Sequence, residues 1–264
     1  MIARRFGGLT ATGRCLGTLA GLGLMSVSAM GQSTEDFVGF WGHVGDFAGY
    51  TPGGPPIGDY RFLPLTDDGR MRAESWNPAI QSQMERQCMP HSAVWVPFGP
   101  TPLEIVDNGD HLVFRMQANE VRRIIWMDGR EHPPPYALHT WTGFSTAEWQ
   151  GNTLKITTTH IKEGFLRRNG VPNSDRATVT EYLTRHDSFL TDVVVVEDPV
   201  YLQGPLVRHQ TYRRLADDTE LLPYPCEPTI HELAGADPNH TPHYLPGQNP
   251  FLQGGFRRAD EFND

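Results

Sequence analysis

The chain has 264 residues, 38% of them apolar and 20% charged, with 27 Gly, 22 Pro and a formal net charge of −9. This composition supports a packed core and argues against wholesale disorder. The acidic balance argues against a general partner of nucleic acid or of anionic membranes, and without an internal run of about 20 apolar residues the chain is not a polytopic helical membrane protein.

Residues Met1 to Gly31 carry Arg4, Arg5 and Arg14 and no acid. The small, apolar stretch Cys15 to Met30 follows, and the segment ends in Ala29-Met30-Gly31. This is the three-part layout of a secretory signal peptide. Residues 1–31 are therefore expected to be removed, leaving a periplasmic or secreted protein with no stable membrane span. A retained anchor is the alternative. Arg4-Arg5-Phe6 leaves twin-arginine export open beside the general route. Cys15 precedes the apolar stretch, which does not fit a lipoprotein. Cleavage would leave 19 basic residues against 31 acidic ones, a net charge of about −12. It would also leave two cysteines, Cys88 and Cys226. In an oxidising compartment an even pair reads as one disulfide; the rival reading is two buried thiols.

Residues 32–102 are irregular. Phe37 to Trp41 reads as a first strand, and the Gly/Pro-rich Gly49 to Gly58 as a loop. Asp68 to Met89 has helical character. Asn77-Pro78 would start a short helix with Ile80, Met84 and Cys88 on one face. From Leu103 to Leu215 the pattern changes to period two. Strands are expected at about Leu103–Val106, His111–Gln117, Glu120–Met127, His139–Trp149, Thr153–His160, Thr178–Arg185, Phe189–Glu197 and Leu206–Arg214. Asn108-Gly109, Asp128-Gly129, Gly151-Asn152 and, more weakly, His186-Asp187-Ser188 supply hairpin turns. Residues 216–264 form an irregular, Pro-rich tail tied to the body by Cys226. The expected fold is all-β: a single antiparallel β-barrel of about eight strands, closed to avoid bare edges, with a short N-terminal helix.

Alternation then assigns faces. Val179, Glu181 and Leu183 share one face of their strand, and Leu154, Ile156, Thr158 and His160 share one face of another. A carboxylate on an apolar inner face needs a partner or a raised pKa. Glu181 is thus either a structural pair with an interior Arg or part of a functional site. His160 reads either as a site residue or as a satisfied rim residue. The faces of Glu120–Met127 are less distinct, with Arg122, Ile124 and Trp126 on one and Arg123, Ile125 and Met127 on the other. The segment Asp128 to Gly143 places His132, three prolines, Tyr136, His139 and Trp141 in a stiffened loop. It reads either as a ligand-pocket wall over the barrel mouth or as a rigid barrel corner.

Other chemistries lack support. There is no H-E-x-x-H, and His240-x-x-His243 lies in the Pro-rich tail without an acid nearby, so no metal is expected. No G-x-S-x-G, G-x-G-x-x-G or P-loop occurs, so no nucleophile elbow and no nucleotide cofactor is expected.

Two resemblances add to this reading. Gly39-Phe40-Trp41 resembles the G-x-W that opens lipocalin barrels. A longer set of motifs is similar to a large uncharacterised family of secreted bacterial β-proteins. It comprises Ile125 to Pro133, Trp141-Thr142-Gly143-Phe144-Ser145, Glu148 to Leu154, Asp198-Pro199-Val200-Tyr201 and Tyr224-Pro225-Cys226-Glu227. Many members of that family carry His where Phe144 stands, and Glu-Gly-Asp where Gln150-Gly151-Asn152 stands. The resemblance implies an exported, lipocalin- or calycin-like all-β protein and no particular activity.

Three functions compete. The first is a cofactor-independent lyase, isomerase or hydrolase acting on a small organic molecule. His160 and Glu181 would supply acid–base chemistry, with Arg130 or Arg122 for a developing anion and His132 beside them. The second is a non-catalytic binding protein for a small hydrophobic or aromatic ligand, its pocket formed by Trp126, Tyr136, His139, Trp141, Phe144 and Arg122. The third is a structural envelope protein whose barrel is filled by side chains.

Overall fold

In the computed structural model, residues 32–44, 58–60, 63–76, 92–94, 101–166, 169–224, 244–250 and 252 are described. Residues 1–31, on which the expected signal peptide falls, Cys88, Cys226, the helix expected at Asn77-Pro78 and most of the Pro-rich tail lie outside them.

Among the described residues eleven strands form: β1 (Gly39–His43), β2 (Leu103–Asp107), β3 (His111–Met116), β4 (Arg122–Trp126), β5 (Phe144–Gln150), β6 (Thr153–Thr159), β7 (Gly164–Phe165), β8 (Pro172–Asn173), β9 (Thr178–His186), β10 (Phe189–Glu197) and β11 (Leu206–Arg214). Nine of them close a barrel in the order β1-β11-β10-β9-β6-β5-β4-β3-β2, while β7 and β8 pair separately. The period-two reading from Leu103 onward therefore lands on strands. The Asn108-Gly109, Gly151-Asn152 and Asp187 turns close the β2–β3, β5–β6 and β9–β10 hairpins, with Gly109, Gly151 and Asp187 at positive φ.

Two expectations are corrected. First, the barrel is not wholly antiparallel, because β4 and β5 run parallel and meet only at Ile125–Ser145 and Trp126–Thr146. The reason is parity. In a closed ring of nine strands an odd number cannot alternate direction throughout. Because β1 is antiparallel to both β11 and β2, the one parallel pair falls inside the meander. Second, the strand expected from His139 starts only at Phe144. Asp128-Gly129 turns the chain, but into a crossover rather than a hairpin. Residues 127–143 loop over the outer wall from the end of β4 back to the start of β5, which lies beside it. Pro133, Pro134 and Pro135 have no N–H to give a ladder, so this strap cannot become a strand. Gly143 ends it at φ +68, where a Cβ would lie 2.6 Å from the Thr159 carbonyl oxygen.

The helix α1 (Asp67–Glu74) starts at Thr66, whose hydroxyl accepts from Gly69 N at 3.0 Å, a regular N-cap. Two apolar clusters fill the body. One gathers Phe37, Trp41, Ile105, Leu112, Phe114, Met116, Ile125, Leu154, Ile156, Leu183, Leu190 and Tyr212. The other joins Val179, Val194, Val196 and Leu206 to Leu63, Leu65, Ala73, Ile161, Leu166 and Leu202. Each fully buried large side chain contributes about 1.5–3 kcal/mol.

Candidate ligand-binding interior and the strap outside it

A polar layer is buried in the barrel. Arg123, 1% exposed, extends inward from β4 and meets Glu181 of β9, also 1% exposed. Its Nη1 donates to Glu181 Oε1 at 2.9 Å and its Nη2 to Glu181 Oε2, a bidentate pair. Nη2 also donates to Thr158 Oγ1 at 2.7 Å, and Nε to Ser145 Oγ at 3.0 Å. Ser145 and Thr158 bond each other at 2.9 Å. Asp192 of β10 completes the layer. Burial first, and the Glu181 charge second, push its carboxyl well above the usual carboxylate range, so it keeps a proton and shares it with Glu181. Tyr212 is likewise pushed up, by burial and then by Asp192. On β1 the imidazole of His43 is lowered to about 4 by burial, against a hydrogen bond with Gln210 that raises it. It is neutral at pH 7, with its ring 4.7 Å from that of Tyr212. Within this layer the Arg123 guanidinium is balanced by the Glu181 carboxylate, with neutral acids around them, and Arg208 of β11 also carries a buried guanidinium nitrogen on the inward face.

A second network lies outside, between the strap and the wall. Thr146 and Thr159 point outward, opposite in sense to their neighbours Ser145 and Thr158. His132 bridges them, with Nδ1 2.7 Å from Thr159 Oγ1 and Nε2 2.9 Å from Thr146 Oγ1. His160 Nδ1 also meets Thr159 Oγ1 at 2.7 Å, and its Nε2 donates to the Pro134 carbonyl at 3.0 Å. His139 Nδ1 lies 3.1 Å from the Ile161 carbonyl oxygen, and its ring is 5.0 Å from that of His160.

The sequence-derived candidates divide between these two places. Glu181 is inside. His160 belongs to the strap network instead of the inward set, because β6 ends at Thr159 and His160 adopts φ +56, which breaks the alternation. The acid–base pairing of His160 with Glu181 is therefore not assembled: Glu181 is bound by Arg123, and both His160 nitrogens are engaged elsewhere. His132 sits under the strap. Arg130 is tied to Asp128 at 2.5 Å and lies 3.3 Å over the Trp126 ring. Arg122 is exposed and points outward, and the adjacent Arg123 takes the interior position. Trp126, Tyr136, His139, Trp141 and Phe144 belong to the strap or to the outer wall beneath it. Trp141 faces Lys162 at 5.4 Å, Phe144 packs on His132 at 5.3 Å, and Tyr136 is 89% exposed. The interior aromatic wall is instead Phe37, Trp41, Phe114 and Tyr212.

Sequence reasoning placed Thr158 on the inward face and allowed Glu181 an interior Arg, but did not single out Arg123, Ser145, Asp192 or Tyr212. One signal was present: a Glu on an apolar face calls for an interior Arg, and two adjacent arginines on β4 must point in opposite directions. Among the described residues no group of three or more His, Cys, Asp or Glu is placed to hold a metal ion, and no helix is long and apolar enough to cross a membrane. Outside the barrel, a surface pocket of about 400 Å³ lies between α1 and Val200-Tyr201, with Tyr244 on its wall.

No family model matches the chain, and no curated protein does. Among solved structures it is similar to a point mutant of the fluorescent protein UnaG. The identity is 13%, the match covers 70% of this chain and 99% of that one, and the TM-score is 0.34. Wild-type UnaG gives 13% identity, 69% and 100% coverage and a TM-score of 0.32.

Proposed function

We propose that the protein is a non-catalytic binder of a small apolar or aromatic molecule, held within the barrel, and that it works outside the cytoplasm. The observation that carries this reading is the character of the inner wall. Phe37, Trp41, Phe114 and Tyr212 pack among aliphatic side chains on the inner face, and in the polar layer Arg123 is neutralised by Glu181. Apolar walls with a few fixed polar groups suit a ligand of that kind. Acid–base catalysis would need His160 and Glu181 at one substrate, and they belong to separate networks. Export rests on the N-terminal pattern of residues 1–31.

Titration with the neutral apolar dye N-phenyl-1-naphthylamine tests the binding. Saturable 1:1 binding with Kd on the order of micromolar, weakened by Trp41→Ala, is expected. No saturable binding to the folded chain overturns the reading. Export predicts that the periplasmic or secreted form starts near Gln32; a full-length cytoplasmic protein overturns it.

A further inference from the structure

The proton positions in the strap network follow from its ends. The Pro134 carbonyl only accepts, so His160 Nε2 carries a hydrogen. In the neutral ring Nδ1 is then an acceptor, and it takes the Thr159 hydroxyl hydrogen. With its one hydrogen committed, Thr159 Oγ1 accepts from His132 Nδ1. His132 Nε2 is left to accept from the Thr146 hydroxyl. Each donor has its acceptor while both imidazoles are neutral.

Protons disturb this order. One proton on His132 is accommodated by turning the Thr146 hydroxyl around. A second, on His160, aims two N–H donors at Thr159 Oγ1 and sets two cations on either side of it. Neither ring has a carboxylate bonded to it among the described residues. The charged and titratable groups of the surrounding elements are otherwise occupied or exposed. On the strap Arg130 is paired with Asp128, Glu131 is exposed and His139 is bonded to the Ile161 carbonyl. On β5 Glu148 is held by Lys155 of β6, and beyond β6 Lys162 lies over Trp141.

We propose that the His132–Thr159–His160 chain is a proton-operated clasp, holding the strap against the barrel at neutral pH and releasing it in acid. Burial, with His160 second, lowers the His132 imidazole below its ordinary 6.5 while the strap is closed. The released ring regains that value, so it binds protons more readily, and every proton taken up below 6.5 favours release. Under the ligand-binding reading, and only under it, release would also bare the β4–β5 seam as a side entrance. The clasp itself does not depend on that reading.

Hydrogen exchange of the full chain, corrected for intrinsic rates, is the test at about pH 7.5 and about pH 5. The reporter is the segment around Thr140, whose N–H donates to the His160 carbonyl at 3.0 Å. Its protection is expected to fall at least about tenfold in acid, while the β9–β10 hairpin keeps its own. His132→Gln, and His160→Asn, which tolerates the left-handed backbone, should each abolish the acid-dependent fall. An unchanged wild-type strap, or a fall that persists undiminished in both variants, overturns the clasp. Dye binding separates the two readings: a strap that opens on a chain that binds no dye leaves the clasp standing and removes the binding function.

Discussion

Ser145 and Thr146 are neighbours on β5, as Thr158 and Thr159 are on β6, yet each pair serves two different networks. Ser145 and Thr158 turn inward and bond the buried Arg123; Thr146 and Thr159 turn outward and bond His132. Nothing in residue type distinguishes the two sets. The pleat alone sends one hydroxyl into a dry, charge-balanced layer and the next to a half-buried histidine. The inner network therefore resists perturbation, because a charge stranded there has no water to turn to. The outer one can exchange protons with solvent, and its geometry depends on them.

The largest effect should come from breaking the inner layer. Glu181→Leu strands Arg123 and is expected to cost about 3–5 kcal/mol in urea unfolding, whereas Arg123→Met with Glu181→Leu should recover most of it. If the double variant is no better than the single, the layer is not held chiefly by charge pairing. The adjacent threonines give the direct contrast. Thr158→Val should cost about 1–3 kcal/mol by leaving a buried guanidinium donor unpaired, and Thr159→Val about 1 kcal/mol or less. Equal losses would erase the distinction between the faces.

Acid should test both networks together. His43 titrates near 4 in the fold against 6.5 when unfolded, and His132 is also lowered. The unfolded chain thus binds more protons in this window. The His43 contribution is complete above pH 6.5 and is lost as the pH falls towards 4, and that of His132 is lost in the same direction. His43→Asn should flatten that part of the stability profile, and a profile as steep as wild type counts against the assignment. The smallest effect belongs to the strap's tip: Tyr136→Ala, at a side chain 89% exposed, should change stability by about 0.5 kcal/mol or less.

The long strands from Leu103 onward were legible because they leave a period-two trace between turn dipeptides, whereas the two-residue β7 and β8 leave none, and Glu181 announced a buried partner by standing between Val179 and Leu183. What was not legible depends on direction rather than composition. Arg122 and Arg123 are identical as letters, and which one enters the barrel follows from a register set by β3 and β5. The His160 backbone leaves the strand one residue early, and no pattern in Thr157-Thr158-Thr159-His160 marks that break. The strap was visible as an unusual, proline-stiffened segment, but its role as the crossover between two parallel strands follows from the odd number of strands, which requires the whole barrel to be counted.

The parallel seam also bears on how the chain finds its fold. It divides the barrel into two arcs, β2–β3–β4 and β5–β6–β9–β10–β11, each zipped largely by local hairpins. They meet through the short β4–β5 contact on one side and through β1, which pairs with both β11 and β2, on the other. The joins at β1 link residues far apart in sequence, so their loop entropy must be overcome late. Substitutions in the β9–β10 turn should then slow folding, while substitutions in β1 should mainly speed unfolding. On this view Trp41 acts as a latch on an assembled wall rather than as a seed for it.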